Sequence, residues 1–137
     1  LEDIVSAEHL LQLQKWYVIP LGGHTKLGKL TFIHGDQVSG GENCAKSAVT
    51  IYESSVRFGH FHTYQAFTKT TPLDQKQGHT GISVPCLCSK QMNYGKGRPN
   101  RWVQGFNYGF IFPDGSFSDY IPIIVNHRFG AEGKVYC

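Results

Sequence analysis

A chain of 137 residues with a formal net charge of +3 and 17% charged residues is the size of one domain and lacks the charge density of a dedicated nucleic-acid binder. Aromatic content of 13% together with 16 glycines describes a turn-rich, strand-rich globular protein and argues against disorder. No apolar run approaches the roughly 18 residues of a spanning helix, and Leu1-Glu2-Asp3 lacks the basic and apolar regions of a signal peptide. The expectation is a cytoplasmic protein with no membrane partner.

In chain order, Ser6 can cap a short amphipathic helix over 7–15, with Leu10, Leu13 and Trp16 or Tyr17 along one side. Trp16-Tyr17-Val18-Ile19 is a β-prone run ended by Pro20, and Gly22-Gly23-His24 makes a turn. Residues 27–33 read as one strand that becomes fully apolar as it nears His34, the pattern of a buried central strand. Ser39-Gly40-Gly41-Glu42 has the form of a capping box, and behind it Ala45, Ala48, Val49 and Tyr52 recur at helical spacing. A strand at 55–58 completes a strand-helix-strand unit, whose crossover makes its two strands parallel.

Beyond Thr63 the pattern becomes mainly antiparallel β. Strands are expected at 64–69, 82–88, 102–112 and 116–125, with 70–78 a loop and Pro113-Asp114-Gly115 a hairpin turn. Pro122 moves part of the last of these to a sheet edge, and Lys134-Val135-Tyr136 adds a small final strand. The fold class expected is α/β (α+β), one βαβ unit followed by mainly antiparallel strands in a single domain over 1–137.

Parallel strands bring their C-terminal ends to one sheet edge, the edge where open α/β folds bind ligands. His34 follows one such end and Gly59-His60-Phe61-His62 the other, so three imidazoles are expected to converge. Histidine is the commonest metal-ligating side chain, and neutral imidazole suits zinc, manganese, iron, cobalt and nickel alike. Three histidines would satisfy a single open zinc site. His24 is a spare candidate, whereas His79 and His127 read as surface residues. Cys44, Cys86, Cys88 and Cys137 are spaced unlike a zinc finger; on a strand Cys86 and Cys88 would share a face as small, reduced, buried side chains, a reading favoured over a metal or redox role. Lys96, Arg98 and Arg101 could contact substrate phosphates, with Tyr94 and Trp102 flanking them.

His34-Gly35 and Gly59-His60-Phe61-His62, separated by a strand-helix-strand unit, resemble the later signature motifs of the calcineurin-like metallophosphoesterases. Leu27-Gly28-Lys29-Leu30, Cys86-Leu87-Cys88, Pro99-Asn100-Arg101-Trp102 and Gly105-Phe106 look like the bacterial and phage branch of that family, and the resemblance runs from about residue 7 onward. It implies a face-to-face β-sandwich with flanking helices, of which this chain supplies part. It also implies that His34 and His60 ligate one metal of a dinuclear pair, that His62 ligates the other, and that the activity is metal-dependent hydrolysis of a phosphoester.

The family's earlier motifs, an Asp-x-His, a Gly-Asp with the bridging Asp, and a Gly-Asn-His with the catalytic His, have no place in this sequence. Asp36 follows the later motif and does not take the bridging role. The chain is therefore expected to be the C-terminal part of a phosphoesterase domain. It would bind one divalent metal (manganese, zinc, iron or nickel) or none, and be inactive alone. An exposed apolar face where strands are missing would favour a homo-oligomer or a complementing N-terminal segment. The substrate class is a phosphoester, with nucleic acid or nucleotide preferred; the alternative function is a non-catalytic metal-binding or nucleic-acid or protein interaction module.

Overall fold

The computed structural model describes residues 11–90 and 99–137. After a 3-10 turn at Leu13–Lys15 come β1 (His24–Leu27), β2 (Leu30–Ile33), α1 (Cys44–Tyr52), β3 (Ser55–Phe58), β4 (Gln65–Thr71) and β5 (Asp74–Ser83). Two pairs of short strands follow, β6 (Tyr108–Ile111) with β7 (Phe117–Tyr120) and β8 (Phe129–Ala131) with β9 (Lys134–Tyr136), each pair antiparallel; β1 pairs antiparallel with β2. The architecture is mixed α+β, and its main sheet is five-stranded in the order β1-β2-β3-β5-β4.

The strand-helix-strand unit forms as expected. β2 and β3 are parallel, with Leu30 opposite Ser55 and Ile33 opposite Phe58. Along β3, Val56 and Phe58 face α1 and join Val38, Cys44 and Ala48 in the core. α1 lies on β5 closely enough that a Cβ on Gly81 would stand 2.3 Å from the Ala45 carbonyl oxygen; only glycine permits that approach. On the opposite face Arg57 meets Asp119 of β7, so the β6–β7 hairpin is tied to the sheet by a pair in which both side chains are at most 10% exposed. A second tie is the Lys29 N–H, which donates to the Gly115 carbonyl at 2.8 Å.

Several boundaries differ from the sequence-based expectation. Residues 27–33 are not one strand: Gly28, at φ +58, turns the chain so that β1 and β2 make a hairpin. The expected loop 70–78 contains only a short turn, because β4 reaches Thr71 and β5 starts at Asp74. β5 is parallel to β3 as well as antiparallel to β4, so the sheet is more parallel than expected. Residues 84–88 leave the strand, with a single bridge from Cys86 to Gln104. The capping box is not used: the helix starts at Cys44, Asn43 makes no side-chain cap, and Glu42 turns outward to Arg101. Trp16 to Ile19 form no strand and are exposed. Residues 7–10 of the expected first helix lie outside the described residues. No helix among the described residues is long and apolar enough to cross a membrane.

Candidate metal centre

The parallel register carries the backbone of β2 and β3 to one edge, where the Gly59 N–H donates to the His34 carbonyl at 3.0 Å. Gly35 allows the close approach: at φ +114, a Cβ there would lie 3.0 Å from the Phe58 ring and 3.2 Å from His60 Cβ. The Phe61 N–H then bonds back to the Gly59 carbonyl at 2.7 Å, a three-residue γ-turn with His60 at its centre and φ +63. A non-glycine residue held at such a φ costs about 1–3 kcal/mol, a strain that persists only where the surroundings over-determine it.

This turn aims the His60 ring at His34. His60 Nδ1 lies 3.1 Å from His34 Nε2, with ring centroids 5.0 Å apart and planes at 74°. Both residues are exposed. This is the distance of a ring-to-ring hydrogen bond, one nitrogen donating to the other, and it also matches the roughly 3.0–3.4 Å between two nitrogens bonded to one cation at about 2.0–2.1 Å with bond angles of about 95–110°.

His62 does not join them. It too has positive φ, +58, and its ring packs edge-on against Trp102 with centroids 4.6 Å apart. Its Nδ1 is 3.8 Å from Cys88 Sγ. Among the described residues, His62, Cys86 and Cys88 are the one set of three potential ligands that could hold a metal ion, their donor atoms all within 4.8 Å of one another. The expected convergence of His34, His60 and His62 therefore resolves into a histidine pair and a separate His-Cys-Cys group.

Main-chain bonds fix the second group. The Val103 N–H donates to the His62 carbonyl at 2.9 Å, the Cys86 N–H to Val103 at 3.0 Å and the Gly105 N–H to Cys86 at 3.0 Å. Gln104 Nε2 donates to the Cys88 carbonyl at 3.0 Å, and Ser83 Oγ to the Thr63 carbonyl at 2.8 Å. Burial, with Cys88 beside it, pushes the Cys86 thiol above its ordinary range. All four cysteines are free thiols, but Cys86 and Cys88 are half-buried beside His62 and do not fill the core, contrary to the strand-face reading.

Arg101, expected at substrate phosphate, instead donates to Glu42 Oε1 at 2.8 Å, both side chains being 78% exposed. Lys96, Arg98 and Tyr94 lie outside the described residues. His24 stands opposite Ile33 in the β1–β2 register, one residue from His34. A hollow of about 420 Å³ lined by Ile19, Leu21, Phe32 and His34 borders the histidine pair. The place of Cys86 and Cys88 beside His62 depends on residues 84–88 and 102–105 running side by side, which no local pattern encodes. The Cys-x-Cys spacing was the available signal, and it tells only that the two thiols are near each other. Comparison with protein-family models, curated proteins and solved structures gave no match.

Proposed function

We propose that this chain carries the histidine half of the metal centre of a phosphoester hydrolase. The observation that supports it is the 3.1 Å approach of His60 Nδ1 to His34 Nε2 beyond the ends of two parallel strands, the place where open α/β sheets take ligands. A divalent cation bound there would polarise a phosphoryl oxygen and lower the pKa of a bound water. His34 and His60 supply nitrogen donors, and their exposure gives a substrate access. The apolar hollow beside His34 offers a seat for the organic part of an ester. The net charge of +3 mildly favours an anion.

Among the described residues no Asp or Glu completes a three-ligand group with this pair. Turnover of a simple aryl phosphodiester by this chain is accordingly expected to be negligible, and binding is the better test. Calorimetric titration with phenylphosphonate should show binding to the manganese-loaded protein, lost with a chelator and in His34→Ala and His60→Ala. Equal phosphonate binding with and without manganese, or in the two variants, refutes the proposal. Metal binding with no phosphonate binding would favour the non-catalytic metal-binding reading, which the His62, Cys86 and Cys88 group also supports.

A further inference from the structure

We propose that His62, Cys86 and Cys88 form a site for a thiophilic divalent cation of the zinc class, separate from the His34–His60 pair. The inference is independent of phosphoester hydrolysis, since it concerns donors that the histidine pair does not use.

The donor set and its spacing carry the proposal. Two sulfurs and one imidazole nitrogen make a soft set, which selects zinc-class ions over magnesium, calcium or manganese. With Zn–S bonds of about 2.3 Å and Zn–N bonds of about 2.0–2.1 Å, a tetrahedral ion separates a sulfur and a nitrogen ligand by roughly 3.6 Å. The observed Cys88 Sγ to His62 Nδ1 distance is 3.8 Å, and all three donors already lie within 4.8 Å. Little movement is needed to close the site.

The surroundings hold the donors in place without using their ligand atoms heavily. The carbonyls of His62, Cys86 and Cys88 are each engaged by Val103, Gly105 and Gln104, which fixes the backbone at all three positions. Trp102 covers one side of the His62 ring. Cys86 Sγ makes a long contact of 3.6 Å to the Val103 carbonyl and lies beside Cys88. The left-handed φ of His62 is what turns its ring away from the histidine pair and toward the thiols. Three protein ligands leave a fourth position for a water or another ligand. A cation here would staple the turn at 59–63 to residues 84–88, and through them to residues 102–105.

Cobalt(II) is the probe, because thiolate ligation produces a sulfur-to-cobalt charge-transfer absorption that histidine or carboxylate ligation does not. Wild-type protein under reducing conditions is expected to show this band and to lose it on adding zinc but not magnesium. The band should survive in His34→Ala and in Cys137→Ser. It should weaken in Cys88→Ser, which keeps Cys86 as a sulfur ligand, and vanish in Cys86→Ser/Cys88→Ser, where zinc affinity falls by at least about 100-fold, a loss larger than that usual for an outer-shell residue. Absence of the band in wild type, or its persistence in Cys86→Ser/Cys88→Ser, overturns the proposal. Alkylation of the wild-type chain, mapped by mass spectrometry, needs no variant: zinc should protect Cys86 and Cys88 from iodoacetamide and leave the exposed Cys137 reactive. Equal labelling of Cys86 and Cys88 with and without zinc also overturns it.

Discussion

Replacing Asp119 by alanine tests how the hairpin that flanks the sheet is held. Arg57 is 3% exposed and Asp119 10%, and the guanidinium grips the carboxylate by two bonds, Nε to Oδ2 at 2.5 Å and Nη2 to Oδ1 at 2.9 Å. Asn107 Nδ2 adds a third bond to Oδ2 at 2.9 Å. In Asp119→Ala the cation stays buried and retains only neutral acceptors, the Val56 and Thr80 carbonyls and Thr80 Oγ1, at 2.8–3.1 Å. Removing one partner of a buried pair costs about 3–5 kcal/mol. That is a large part of the roughly 5–15 kcal/mol that holds a typical domain together. Urea denaturation at neutral pH should therefore give a much lower midpoint for Asp119→Ala. The double variant Arg57→Met/Asp119→Leu should recover most of the loss, with a coupling of at least about 2 kcal/mol.

The same pair gives a pH dependence. Burial raises the Asp119 pKa, but the hydrogen bond and charge of Arg57 outweigh it, leaving the carboxyl below its ordinary value of 3.8. The folded form then binds fewer protons than the unfolded chain in the acid range. Its stabilisation is fully present above the unfolded value and is lost as pH falls through the folded one. Asp119→Asn should remove that part of the acid sensitivity. A cost below about 1 kcal/mol for Asp119→Ala, or single losses that simply add in the double variant, would refute the view that this pair anchors the hairpin.

Three further substitutions probe other contacts. Gly81→Ala places a Cβ 2.3 Å from the Ala45 carbonyl and 2.8 Å from Val49 Cγ2; overpacking of this kind costs about 1–3 kcal/mol or more, and an unchanged Tm would show that α1 does not sit where described. Thr63 Oγ1 is buried and, among the described residues, has no hydrogen-bond partner, so Thr63→Val should be neutral or stabilising by up to about 1 kcal/mol; a clear loss in thermal denaturation would contradict that. Arg101→Ala breaks a pair that is 78% exposed on both sides and should cost less than about 1 kcal/mol, shrinking with added salt; a larger, salt-independent loss of Tm would give Arg101 a structural role.

What the sequence revealed depended on whether a local pattern was also the tertiary one. Ala45, Ala48 and Val49 recur at helical spacing because one face of α1 is buried, and the structure buries all three. The strand at 55–58 was legible for a similar reason, having both faces covered. The strand at 64–69 was legible too, but the last residues of β4 and most of β5 were not, since their polar residues carry no apolar alternation and the two strands extend by pairing mainly with each other. The break at Gly28 was hidden between β-prone neighbours, although glycine is the residue that tolerates its φ of +58. The candidate site shows the limit most clearly. Two histidines spaced by two point the same way only while the chain is extended, and that premise fails here because His60 and His62 both have positive φ. One ring is turned to His34 and the other to Cys88, so a motif that reads as a single chelate becomes a junction between two donor sets of different softness. Which cation each set prefers follows from the partners that the fold brings to it, and those partners, His34 on one side and Cys86 and Cys88 on the other, lie more than twenty residues away along the chain.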